Sequence, residues 1–320
     1  MDGAWPLLLE RVRMREGAPQ GACSSAGEIT EGLLRCSACG SSFPIVEGIP
    51  ALLPSERFYR ENCAYPDQTS ERLKRDEQAA TYEERLSPSY TRLEQSLTLK
   101  AMRLKPADVV LEVGAGTGRL TDCLMGHCRE IVAVDFSLGS LQYLAERLSG
   151  ATRIGAHAPT LVHPVQADIR FLPLRSRAFS RVLAGETLHH LPGEAAQRGG
   201  LQQLARSVRP EGLVVVSAYN YPQPARGNGD RGRRMEREGF HAGGAIYYRR
   251  FEPEELVRLL QPFFRVEKLW GFYISRLDAL GGFGLALNRV LAATRLGLRW
   301  GHYLVARCAV AEEDGRHENG

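Results

Sequence analysis

The stretch Val109-Val110-Leu111-Glu112-Val113-Gly114-Ala115-Gly116-Thr117-Gly118 decides how the rest of the chain is read. An apolar run interrupted only by Glu112 closes on three glycines, and Leu120-Thr121-Asp122-Cys123-Leu124 follows with helical spacing. This is a strand turning into a helix through a loop that lets backbone approach a ligand at the helix N-terminus. The loop is no dinucleotide fingerprint, because Arg119 stands where G-x-G-x-x-G needs its third glycine. Glu112, two residues before the first glycine, would also repel a pyrophosphate at close range.

A ligand without phosphate that carries a cationic amino group and a sulfonium suits Glu112 better, which points to S-adenosylmethionine. Two further acids support that ligand. Asp135 ends the next strand candidate, nineteen residues after Gly116, where a carboxylate can accept from both ribose hydroxyls. Asp168 ends the third, where it can accept from an adenine amino group. The expected cofactor contacts are Glu112, Gly114, Ala115, Gly116, Gly118, Asp135, Phe136, Asp168, Ile169 and Gly185.

Working outward, strand candidates at Asp108–Val113, Glu130–Asp135, Thr160–Ala167, Phe179–Gly185 and Leu213–Tyr219 alternate with helices, clearest at Leu138–Leu148 and Glu194–Val208. A helix at Pro253–Leu260, a strand at Arg265–Tyr273, a helical excursion and a last strand at His302–Val310 complete the pattern. The expectation is an α/β fold: a seven-strand, mostly parallel Rossmann-like sheet with helices on both faces. Residues 1–57 form a small β-rich module, 58–100 a helical linker or lid, 101–312 the catalytic domain with a flap insertion at 221–250, and 313–320 a loose tail.

Composition is that of a globular protein, with 43% hydrophobic and 24% charged residues in 320. The net charge of +4 is local: residues 221–250 carry seven arginines against Asp230, Glu236 and Glu238. Seven scattered cysteines argue for a reducing cytoplasmic setting, and no apolar stretch is long and clean enough to span a membrane.

The run from Val110 to Tyr219 resembles the class I S-adenosylmethionine-dependent methyltransferases, closest to the broad type 11 group. The landmarks are Leu111-Glu-Val-Gly-Ala-Gly-Thr-Gly118, Val134-Asp-Phe-Ser137, Ala167-Asp-Ile-Arg-Phe-Leu-Pro-Leu174, Leu188-His-His-Leu-Pro192 and Val208-Arg-Pro-Glu-Gly212. The resemblance implies the cofactor and the fold and leaves the methyl acceptor open. Arg181 replaces an aspartate usual at the start of the fourth strand, away from the cofactor.

Methyl transfer to a nucleophile needs positioning and at most a base. Candidates lie after the fourth strand, Gly185-Glu186-Thr187-Leu188-His189-His190, and after the fifth, at Tyr219. His190 and His189 are the expected bases, although His189 equally suits packing beneath the adenosine. Neither loop carries an Asp/Asn-Pro-Pro-Tyr run or a cysteine of the kinds that methylate nucleobases. A small-molecule acceptor (a natural product, lipid-like or quinone-like) is therefore favoured. RNA, held by Arg226–Arg250, is the alternative, and a non-catalytic scaffold that binds the cofactor is a third.

Cys36-Ser-Ala-Cys39-Gly40, followed by Phe43-Pro-Ile-Val-Glu-Gly-Ile-Pro50, resembles the zinc-ribbon-like activator subunits of tRNA methyltransferases. Cys36 and Cys39 make one knuckle without a second, so the module is expected to be a degenerate ribbon without metal.

Overall fold

The computed structural model describes residues 7–14, 29–37, 40–63, 69–150, 160–221 and 236–310. The chain enters through an antiparallel sheet of β1 (Leu7–Met14), β2 (Ile29–Cys36), β3 (Ser42–Val46) and β4 (Ile49–Pro50), in that order across the sheet. Three helices follow: α1 (Glu56–Asn62), α2 (Thr69–Gln78) and α3 (Pro88–Met102). Ser55 caps α1, its hydroxyl accepting from Phe58 N at 3.2 Å. Pro88 opens α3, where a missing N–H costs nothing, and the helix stops at Arg103 in a left-handed conformation. Tyr90, Leu93, Leu97 and Ala101 recur every three or four residues and bury one face of α3.

The main sheet is built from β5 (Val109–Val113), β6 (Glu130–Asp135), β7 (Leu161–Gln166), β8 (Phe179–Ala184) and β9 (Val208–Tyr219), linked through α4 (Arg119–Leu124), α5 (Leu138–Gly150) and α6 (Gly193–Ser207). A hairpin of β10 (Glu238–His241) and β11 (Ile246–Arg249) then precedes α7 (Pro253–Leu260) and β12 (Phe264–Phe272). Two helices, α8 (Gly281–Leu291) and α9 (Arg295–Trp300), lead into β13 (Tyr303–Val310). The order across the sheet is β12-β13-β9-β8-β5-β6-β7, with β13 antiparallel to both neighbours.

Both faces of the sheet are covered. Val214 and Val216 join one core with Leu201 and Leu204 of α6 and Leu256 and Leu260 of α7. Val215 joins the other, with Leu97 of α3, Leu124 of α4 and Leu144 of α5. Burial on two faces is why these strands read as continuous apolar runs. β9 begins at Val208, ahead of the expected Leu213, because Val208 pairs with Phe179 across a register shift. Pro164 sits in β7, the edge strand, where a missing donor is tolerated.

The N-terminal sheet docks on that same edge. Ala51 forms a parallel bridge with Gln166, and Leu52 N donates to Gln166 O at 2.7 Å. An edge that would otherwise present unpaired backbone is thereby covered. Arg181, the residue departing from the familiar pattern, donates from Nε to Met102 O at 3.0 Å and lies 3.6 Å from Asp108. It ties the end of α3 to β8, away from the glycine loop.

Candidate active site

Every parallel strand points its carboxyl end at one rim, and the glycine loop lies on it. Gly116 has a φ of 54°, and a Cβ built on it would meet no atom within 4 Å, so bare backbone faces the cavity. A Cβ on Gly114 would collide with the Thr187 side chain, which closes the loop against the β8 turn.

Glu112 is buried at the end of β5, and the Thr121 hydroxyl donates to its Oε2 at 2.7 Å. Burial pushes its carboxyl up to about 8. Asp135 accepts from Gly116 N and Ser137 N, each at 2.8 Å, and so fastens the glycine loop to the end of β6. Each of its oxygens keeps a second lone pair for a hydroxyl. Asp168 is engaged differently. Arg170 donates to it from N, Nε and Nη2 (2.8, 3.0 and 2.7 Å), and the Tyr59 hydroxyl donates to Oδ2 at 3.0 Å. An adenine amino group placed on Asp168 would have to displace one of these donors.

Ala115, Phe136, Ile169 and Gly185 line the same cavity as Glu112, Gly114, Gly116, Asp135 and Asp168, whereas Gly118 supports it from behind. Gly118 has a φ of 90° and abuts Leu144 of α5, where a side chain would overlap. The donor set fits S-adenosylmethionine. Bare glycine backbone, spare acceptors on Asp135 and the buried acids suit an uncharged ribose and a cationic tail.

The lid contributes residues that sequence reading missed. Glu71, Arg75, Gln78, Ala79 and Tyr82 form the wall opposite the loop. Asp76 accepts from the Ser137 hydroxyl at 2.6 Å and from Gly139 N at 2.9 Å. Glu83 accepts from the Thr117 hydroxyl at 2.9 Å and from Arg147 Nη1 at 2.6 Å. In sequence, α2 reads as a charged surface helix, and nothing local marks which charges turn inward.

A second cavity of about 750 Å³ adjoins the first and shares Arg75, Gln78, Tyr82, Glu186 and His190 with it. Its far wall holds Tyr219, His241 and Ile246, so the hairpin of β10 and β11 forms one side. Part of the expected flap is therefore an ordered wall.

Of the expected bases, His190 lines both cavities and His189 lines neither. The His190 Nδ1–H donates to Tyr247 O at 2.6 Å, which leaves Nε2 as the acceptor. His189 is sealed in the interior, stacked on Tyr219 at 3.7 Å, with neither ring nitrogen partnered. Burial drives both imidazoles well below the usual histidine range, so both are neutral at physiological pH. Tyr219 borders the second cavity, and burial raises its phenol.

Glu186 follows β8, in the same loop as His190, and nothing local in the sequence marks it. Its φ of 53° is rare for a residue with a side chain, and its Oε1 is buried without a partner. Burial, opposed by Arg119, pushes its carboxyl up to about 7. A strained acid with one buried, unpartnered oxygen between two cavities is a signal only the tertiary structure gives.

Three of the arginines expected to grip RNA are turned to internal work. Arg237 pairs with Glu252 and Glu255 at 3.1 and 3.2 Å, Arg249 pairs with Glu255, and Arg250 donates to Glu236 O at 2.6 Å. Arg226, Arg231, Arg233 and Arg234 lie outside the described residues, as does Cys39. Cys36 is buried, and no cluster of three metal-ligating side chains occurs among the described residues. Nor is any helix among them long and apolar enough to cross a membrane.

Comparison with known proteins agrees with this geometry. Residues 111–216 match the family described as "Methyltransferase domain". A demethylmenaquinone methyltransferase of Mycolicibacterium vanbaalenii is 33% identical over 137 residues, 43% of this chain and 53% of the relative. The chain thus spans about half the length of the curated relatives it matches. Among solved structures, the CcbJ methyltransferase of Streptomyces caelestis aligns with a TM-score of 0.52 at 20% identity, over 73% of this chain and 96% of that one. A DhpI–SAH complex aligns with a TM-score of 0.50 at 17% identity, over 77% and 97%. These two likenesses establish the fold. Residues 111–216 thus match a methyltransferase domain, and the cavity that their glycine loop floors fits S-adenosylmethionine.

Proposed function

We propose that the whole protein is a methyltransferase that moves a methyl group from S-adenosylmethionine to a small, quinone-like ring. The observation carrying this reading is the pair of adjoining cavities. One is floored by the glycine loop and Asp135, and the other is walled by Tyr82, Tyr219, His190 and His241. The aromatic side chains suit a planar ring, and Lys74, Arg75, Glu77, Arg85 and Glu186 on the same lining offer polar contacts to its oxygens, in the size range of small-molecule sites. The relatives named demethylmenaquinone methyltransferases support the same acceptor class.

Bound S-adenosylmethionine supplies an activated methyl group on a sulfonium. The chain's residues do the rest. Asp135 holds the ribose hydroxyls, Glu112 gives up its buried proton as the cationic tail arrives and then pairs with that tail, and the lid excludes water. Glu186 stands between the cavities and takes the proton from an acceptor hydroxyl. The His190 Nε2, held as an acceptor by the Nδ1–H bond to Tyr247, accepts from a second hydroxyl of the ring and so orients it.

RNA is the less favoured acceptor, because Arg237, Arg249 and Arg250 are already paired. The test pairs calorimetry with transfer assays. S-adenosylhomocysteine should bind with micromolar affinity, and labelled methyl should pass to reduced naphthoquinones or catechols. Absence of S-adenosylhomocysteine binding in folded protein would overturn the methyltransferase reading. Salt-sensitive methylation of bulk tRNA in place of quinols would overturn the acceptor class.

A further inference from the structure

The helical excursion between β12 and β13 partitions its side chains the wrong way round for a helix packed on a soluble core. The residues that α8 and α9 bury are Gly284, Asn288 and Gly297. A Cβ on Gly284 would run into Leu277 O, and one on Gly297 would run into Gly271 O and Leu291 O. The two helices therefore seat closely through small residues. Leu285 and Leu298 pack against the core, but five other bulky apolar side chains point away: Phe283 is 72% exposed, Val290 68%, Leu280 52%, Leu296 42% and Trp300 41%. Phe283 and Val290 are seven residues apart on α8, and Leu296 and Trp300 four apart on α9. Each pair thus lies on one helix face.

Charge completes the pattern. Arg276, Arg289, Arg295 and Arg299 are all exposed, and none takes part in an ion pair among the described residues. The one acid of this stretch, Asp278, accepts from Ser87 and Tyr273 at 3.2 and 2.8 Å and faces the body of the protein. Arg299 neighbours Trp300, and Arg289 neighbours Val290. Exposed aromatic and aliphatic side chains interleaved with unpaired arginines fit the boundary between lipid headgroups and acyl chains. An apolar protein partner would leave the arginines unpaired, and a second copy of the same cationic face would repel this one.

We propose that α8 and α9 form a membrane-surface docking face for anionic lipid. Phe283, Val290, Leu296 and Trp300 enter the acyl boundary, and Arg276, Arg289, Arg295 and Arg299 pair with headgroup phosphates. The helices lie on the bilayer and do not cross it, since neither approaches the length of a span. The face is independent of the methyltransferase reading and uses no residue of the two cavities.

The test is flotation of the full chain with vesicles of phosphatidylcholine alone or with phosphatidylglycerol added. The wild type should float with anionic vesicles and weakly with neutral ones, and binding should fall as salt rises from about 0.1 M towards 1 M. Arg289→Gln, Arg295→Gln and Arg299→Gln together should weaken anionic binding roughly a hundredfold, about fivefold for each arginine near a charged surface. Phe283→Ser with Trp300→Ser should also abolish flotation. Both variants should keep the wild-type circular dichroism and S-adenosylhomocysteine affinity. A wild type that stays with the soluble fraction in both vesicle types would overturn the proposal. So would a concentration-dependent dimer that the serine variant dissolves while anionic vesicles fail to compete.

Discussion

Two carboxyl groups at the rim differ in how their environments set their charge, and each gives a prediction. Glu186 is raised to about 7 by burial, with Arg119 pulling the other way. Below that pH it holds its own proton and cannot accept another, and above it the carboxylate is free. A reaction that uses it as base should therefore gain kcat/KM as pH rises through about 7 and then level off. Charged or titratable groups facing it are Arg119, Arg75, Tyr82, His190, Tyr90, Tyr219 and Tyr303. Burial raises Tyr90, Tyr219 and Tyr303, so these three do not ionise in this range. Glu186→Gln should lower kcat/KM by about 10²–10⁴-fold and flatten the rising limb. Full activity with an unchanged pH profile in that variant would remove Glu186 from the mechanism.

Glu112 makes a statement about stability. Its folded carboxyl stands at about 8 against an ordinary 4.5, because burial disfavours the charge. Between those values the folded chain holds a proton that the unfolded chain has lost. Its contribution is fully present below the unfolded value and declines as pH rises through the window. Glu112→Gln should therefore make the ligand-free protein's thermal midpoint fall less steeply between about pH 5 and 8, with roughly 2–4 °C recovered per kcal/mol. A scan in which both proteins lose stability in parallel would refute this account.

At the scale of elements, the lid is latched rather than packed. α2 is charged along most of its length, and Asp76 holds it to the start of α5 through Ser137 and Gly139. Asp76→Ala strands the Gly139 N–H and leaves the Ser137 hydroxyl with Ser140 alone, a loss of about 1–3 kcal/mol in the closed lid. S-adenosylhomocysteine affinity should drop by about fivefold to a hundredfold, with faster amide exchange across residues 69–82. Unchanged affinity with unchanged exchange would show that Asp76 does not govern closure. α7 is the contrasting case, legible in sequence. Glu252 and Glu255 form a capping box, Pro253 opens the helix, and Leu256, Leu259 and Leu260 give it one apolar face.

At the scale of the molecule, the N-terminal sheet and the main sheet share a core. Leu52 is 7% exposed and sits in the same apolar cluster as Val134 and Ala167. Leu52→Ala should cost about 2–5 kcal/mol, and chemical denaturation should still show one transition, displaced to lower denaturant. Two separate transitions in the wild type would mean that the module folds independently. If the α8–α9 face docks on lipid, the acceptor cavity is carried to a surface where an apolar quinone-like ring is concentrated.

The sequence by itself determined the order of the main-sheet strands, the glycine loop and the placing of Glu112 and Asp135, whereas the β10–β11 hairpin, expected as a flap, was not legible in it. The legible features depend on near neighbours in the chain: apolar runs set strands, glycines set the turn, and strand ends bring their acids to one rim. Arg75 on the cavity wall, the unpartnered Oε1 of Glu186 and the capture of Asp168 by Tyr59 and Arg170 were decided only by tertiary structure. So was the outward turn of Phe283 and Trp300. In each of these cases the side chain's environment comes from segments up to about a hundred residues away, as with Tyr59 and Asp168 at a separation of 109. Burial and charge pairing at such distances follow from packing, and local pattern carries no trace of them.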